Sequence, residues 1–119
     1  MKVHFGPAGN GNSFGKRKNT ELPEYLRQFG LDAYEYQCGH GVRISEQTAA
    51  ALGDRMKEAG VFLSVHSPYY ISLSSVEKEK REKSVQYLLS TAKVAKAMGA
   101  TRIVVHSGSC AKITREQAL

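Results

Sequence analysis

No stretch of this sequence approaches the roughly 18 apolar residues that cross a membrane as a helix. No apolar signal core with a cleavage site follows Met1. Membrane spanning and secretion are therefore not expected, and the reading is cytoplasmic. Cysteine is scarce: Cys38 and Cys110 stand far apart and outside any C-x-x-C pattern. That argues against a disulfide framework and a dithiol redox motif, and suits reduced thiols. Linkers and low-complexity tracts are also missing, so residues 1–119 read as part of one domain.

What is present is ordinary in hydrophobic content, 41%, and distinctly basic, with net charge +6. A basic balance favours a polyanionic partner, although net charge alone is weak support. The order along the chain is strand, loop, helix, repeated. Strands are predicted at Lys2–Phe5, Ala33–Cys38, Val61–His66 and Arg102–His106. Helices are predicted at Leu22–Phe29, from Ser45 to Ala59, at Glu77–Met98 and from Thr114. Thr20 and Ser45 are candidate N-caps, while Gly30, Gly60 and Gly99 are stops. Ser74-Ser75-Val76-Glu77 and Thr114-Arg115-Glu116-Gln117 read as capping boxes. Glu77–Arg81 and Glu79–Lys83 are spaced as i,i+4 ion pairs.

Strands alternating with helices imply a parallel sheet. Strand starts recur at roughly 30-residue intervals, the size of βα units. The expected fold is α/β, a TIM (β/α)8 barrel of which this chain covers about the first four units. Residues 1–119 would then be the amino-terminal half of a single barrel domain, since a full barrel needs about 250 residues. Four units alone would leave strand edges unpaired, so self-association is the expectation if the half-barrel is complete.

Alternate strand residues face the barrel interior. This places Val61, Leu63 and Val65 toward the helices, with Phe62, Ser64 and His66 pointing inward. The same alternation sends Ile103 and Val105 outward and His4, Glu35, Gln37 and His106 inward. His66 and His106 close their strands, where barrels set metal ligands and catalytic groups. Imidazole is the commonest protein metal ligand. Both histidines are therefore candidate catalytic and metal-binding residues, and His4 and Glu35 candidate supports for them. His40 sits in a loop and is expected to be solvated.

The four loops after the strands, Gly6–Asn19, Gly39–Ile44, Ser67–Val76 and Ser107–Ile113, contain no aspartate or glutamate. They hold Lys16, Arg17, Lys18, Arg43 and Lys112. On one barrel face these make a basic ring around the histidines, as a phosphate-rich substrate requires. Tyr69 and Tyr70 stand together in the third loop, placed to stack on bases or wedge between them.

His66-Ser67-Pro68-Tyr69-Tyr70-Ile71-Ser72-Leu73 resembles the H-x-P-Y-x-x-N-L segment of the endonuclease IV family. Val105-His106-Ser107-Gly108-Ser109 resembles that family's F-H-P-G-S segment. Phe5-Gly6-Pro7-Ala8-Gly9 and Tyr34-Glu35-Tyr36 are similar to the group as well. The resemblance implies a zinc-dependent apurinic/apyrimidinic endonuclease on a TIM barrel, cutting DNA 5′ to an abasic site in base-excision repair. It implies two or three zinc ions in the complete barrel, with His66 and His106 as two of their ligands, and double-stranded DNA with abasic sites as partner. Tyr69 would insert at the lesion beside Tyr70, and Arg43 lies near a DNA-penetrating arginine. Ser107 replaces a proline of the family pattern, Cys110 a histidine and Ser72 an asparagine. Two alternatives remain: a sugar isomerase or epimerase of the xylose-isomerase-like barrel group, and a non-catalytic DNA-binding half-barrel.

Overall fold

The computed structural model describes residues 2–119. Its sheet has three parallel strands, β1 (Ala33–Gln37), β2 (Phe62–His66) and β3 (Arg102–Val104), in the spatial order β1-β2-β3. Helix α1 (Leu22–Gln28) precedes β1, and α4 (Arg115–Ala118) follows β3. Helices α2 (Glu46–Glu58) and α3 (Lys78–Met98) make the two crossovers. The register sets Gln37 opposite His66, and His66 opposite Val104, so the carboxyl ends of all three strands lie together. Among the described residues no helix is long and apolar enough to cross a membrane.

The alternation of β2 is realised. Val61, Leu63 and Val65 are buried under the helices with Tyr34, Leu52, Met56 and Met98. Phe62, Ser64 and His66 turn to the inner face, which is open in this chain. Along the last strand segment the expected helix cover is incomplete: Ile103 and Val105 each keep about two-fifths of their surface exposed.

The expected strand Lys2–Phe5 is not formed. The segment that runs beside β1 lies later, with Ala8 bridged to Glu35. Ala33 N–H donates to Phe5 O and Glu35 N–H to Pro7 O, both at 3.0 Å, and Gly9 N–H donates to Glu35 O at 2.9 Å. A continuous parallel ladder would also need residue 7 to donate toward Ala33, and proline has no N–H to give. Gly6 permits the close approach, because a Cβ there would fall 1.6 Å from the Ala33 carbonyl oxygen. The intervening loop is not simply open. Two 3-10 turns, Asn12–Phe14 and Asn19–Glu21, fold it back and bury Phe14 in the core.

Strand β3 ends at Val104, not His106. Ser67 N–H still donates to Val104 O at 2.9 Å, but the next donor, Tyr69 N–H, turns away to Gly39 O. The helices follow their signals with two exceptions. Ser45 caps α2 by accepting from Thr48 N–H, and Thr114 and Gln117 form the expected capping box of α4. Thr20 is not the N-cap of α1, because the 3-10 turn carries the chain on to Glu21. The box at Ser74–Glu77 does not form either: Glu77 is itself the N-cap of α3 and has no side-chain cap. Among the described residues Glu79 does not pair with Lys83, and Glu77 does not pair with Arg81, although its carbonyl accepts from the Arg81 N–H. Glu77 pairs with Lys80, while Arg81 donates to Ser75 O and Lys78 pairs with Glu82. These exposed pairs contribute little to stability.

Candidate metal and nucleic-acid site

Three loops converge beyond the carboxyl ends of the strands, and backbone hydrogen bonds tie them together. Tyr69 N–H donates to Gly39 O at 3.1 Å, joining the loop after β2 to the loop after β1. Leu73 N–H donates to Ser107 O at 2.7 Å, and Ser74 Oγ donates to Ser109 O at 2.8 Å, joining it to the loop after β3. Ser72 N–H donates to the buried Ser84 Oγ, which anchors the middle loop to α3. Short strands and short loops therefore hold the site residues on a stiff frame.

Within this frame His66 and His106 meet, with ring centroids 5.0 Å apart. His66 Nδ1 lies 2.9 Å from the Ser67 carbonyl oxygen. A carbonyl only accepts, so Nδ1 carries a proton, which leaves Nε2 as the nitrogen able to bind a metal. A backbone carbonyl on one nitrogen is the usual way a ligating imidazole is oriented. The pair therefore fits a divalent metal as two imidazole ligands. Among the described residues no third histidine, cysteine, aspartate or glutamate joins them. Zinc takes at least three protein ligands, so two imidazoles alone hold it weakly. Cys38 is no candidate: it is buried, and burial pushes its thiol pKa up, away from thiolate.

The tyrosines stand at the same rim. Tyr69 lies 5.8 Å from His66, centroid to centroid, and Tyr69 and Tyr70 are both more than half exposed. Arg43 is exposed on the loop after β1. Arg17 is less free than its sequence position implies, since it donates to Ser13 O and lies over the Tyr25 ring at 5.6 Å. This is the parallel-strand, strand-end placement of function that α/β barrels share.

The description xylose isomerase-like TIM barrel matches residues 23–119 of the sequence. This chain belongs to that family. The chain is 35% identical over 95 residues to the uncharacterized protein MJ0133 of Methanocaldococcus jannaschii, covering 78% of this chain and 33% of that protein. It is 36% identical over 67 residues to a probable endonuclease 4 of Acholeplasma laidlawii, covering 54% of this chain and 23% of that one. A probable endonuclease 4 of Aquifex aeolicus is 30% identical over 76 residues, 64% of this chain and 27% of that one. The chain thus spans a third or less of these relatives. Two solved structures share the fold, each with a TM-score of 0.65. They are SacUVDE, 19% identical with 84% of this chain and 39% of that chain covered, and D-psicose 3-epimerase with D-fructose, 17% identical with 87% and 38% covered.

Against this barrel frame, two expected supports take different places. His4 lies at the amino end of the sheet, away from His66. Its Nδ1 meets Asp32 Oδ2 at 2.7 Å and its ring stacks on Phe62 at 3.9 Å. The His4 hydrogen bond first, and the Phe5 N–H second, lower the Asp32 pKa. His4 fails to support the metal pair because the segment that pairs with β1 starts after it. His4 and Phe62 border a cleft of about 770 Å³ whose wall also includes Glu35, Ser64 and Arg102. Glu35 faces inward as expected, but its partners are Ser64 Oγ at 3.3 Å and Gln37 Nε2 at 3.1 Å, not a histidine.

The tyrosine contacts of two rim residues were not visible in the sequence. His40 is exposed as expected, and its Nδ1 lies 2.8 Å from Tyr70 Oη. Gln37 Oε1 accepts from Tyr69 Oη at 3.1 Å. The alternation rule already sent Gln37 inward; its position at the last residue of β1, opposite His66, was the available signal.

Proposed function

We propose that this family member serves as a zinc-dependent apurinic/apyrimidinic endonuclease, hydrolysing the DNA phosphodiester 5′ to an abasic site in base-excision repair. The carrying observation is the His66–His106 pair, with the His66 Nε2 free, at the end of strands whose joined loops carry Arg43 and Lys112 and no carboxylate. The relatives named probable endonuclease 4 support the same reading.

In this reading His66 and His106 hold the metal through imidazole nitrogen. Zinc, when bound, supplies Lewis acidity toward water and phosphate. Arg43 and the lysines of the acid-free loops bind the phosphates on either side, a contact that weakens with salt. Tyr69 and Tyr70 present flat apolar surface where a missing base leaves a gap in the stack. A sugar substrate gives no reason for loops with five cations and no carboxylate in their sequence, which argues against an epimerase role despite the shared fold.

The test uses the full-length protein and a labelled duplex with a single abasic analogue. The expected result is a nick on the 5′ side of the lesion, abolished by chelator and restored by zinc. Interconversion of ketoses without DNA cleavage would overturn the reading. Salt-dependent DNA binding with no nick under any metal would favour a non-catalytic role.

A further inference from the structure

Tyr69 is exposed, yet its hydroxyl is tethered. It lies 3.1 Å from Gln37 Oε1, while Gln37 Nε2 lies 3.1 Å from Glu35 Oε1. A carboxylate only accepts, so the amide nitrogen must face Glu35 and the amide oxygen must face Tyr69. The Tyr69 hydroxyl is therefore the donor. Glu35 is fixed in turn by Ser64 Oγ at 3.3 Å. The strand register sets up this chain, with Glu35 opposite Ser64 and Gln37 opposite His66. A run of four polar groups thus climbs the inner face of the sheet and ends on the tyrosine at the rim.

The geometry points to Gln37 as a positioning residue: it latches Tyr69 beside His66 in the free protein, and the latch opens when the ring leaves for a gap in duplex DNA. The inference rests on the functional reading above. The hydroxyl is drawn down toward the end of β1, so the ring cannot swing out to a base stack while the Gln37 bond is kept. Stacking on a base is worth more than one neutral hydrogen bond between protein groups. The exchange is then favourable where a gap admits the ring and unfavourable against a closed stack. The Tyr69 backbone does not need to move, because its N–H stays on Gly39 O.

Two variants of the full-length, zinc-loaded protein test this. Gln37→Leu removes the acceptor, and Tyr69→Phe removes the donor while keeping the ring. Each is expected to tighten binding to an abasic duplex roughly two- to tenfold, the worth of one hydrogen bond. The double variant should add nothing further, since one bond is lost in all three. Weaker or unchanged abasic binding in both single variants, or additive effects, would overturn the latch. A separate arm needs no DNA: Tyr69→Phe should shift the Gln37 side-chain amide resonances, and an unmoved Gln37 signal also overturns the latch. Wild-type protein that binds abasic and intact duplex alike would overturn the functional reading and the opening step with it. A Gln37 signal that still responds to Tyr69→Phe tells that failure apart from failure of the latch.

Discussion

Replacing His106 with alanine in the full-length protein is expected to cut nicking at abasic sites by at least about a hundredfold. Loss of a group that merely orients a ligand costs 10- to 100-fold in metal affinity or activity, and in the proposed site His106 is itself a ligand. Its ring lies 5.0 Å from His66, and no other described histidine, cysteine or carboxylate is grouped with the pair to replace it. Binding of the duplex should survive, because it rests on Arg43 and the loop lysines, which the substitution leaves in place. Single-turnover cleavage and a binding titration on the same preparation check both halves. Near-normal cleavage would remove His106 from the metal shell. Equal loss of binding and cleavage would mean that the loop after β3 had collapsed.

A second large effect is expected far from the site, where α2 crosses α3. A Cβ on Gly53 would lie 2.1 Å from the Met98 carbonyl oxygen and 2.7 Å from its carbon. Those are backbone atoms at the end of α3 and cannot swing aside, so the helices must separate. Alanine would gain about 1 kcal/mol in helix propensity, but overpacking of this kind costs about 1–3 kcal/mol or more. Contact with backbone puts Gly53→Ala at the upper end, for a net loss of about 2 kcal/mol and a fall in Tm of about 10 °C. Thermal unfolding followed by circular dichroism measures this. An unchanged Tm would show that the two helices do not approach as closely as described.

The layout of this fold was legible because it rests on local patterns. The β2 alternation named its buried side chains correctly, and glycines 60 and 99 stop their helices in the left-handed conformation, at φ of 72° and 70°. The errors came where one segment's structure depends on a distant one. Lys2–Phe5 has strand-like composition, but pairing requires donors on the neighbour, and Pro7 withholds one. The box at Ser74–Glu77 fits by spacing, but Glu77 takes extended backbone as the N-cap, and the Ser75 carbonyl is met by Arg81.

The same division runs through the site. Two histidines at strand ends are visible in one dimension, and the structure brings them together. The Glu35–Gln37–Tyr69 chain is not visible there, because it depends on which strand lies beside which and in what register. His40 is exposed as expected, and its hydrogen bond to Tyr70, 30 residues away, is invisible in the sequence for the same reason.

The most direct test of the central claim is zinc K-edge X-ray absorption on the full-length, zinc-loaded protein. The account predicts imidazole nitrogens at about 2.0–2.1 Å from zinc, with one ring's scattering lost in His66→Ala and one in His106→Ala. A zinc spectrum that neither substitution alters would contradict it.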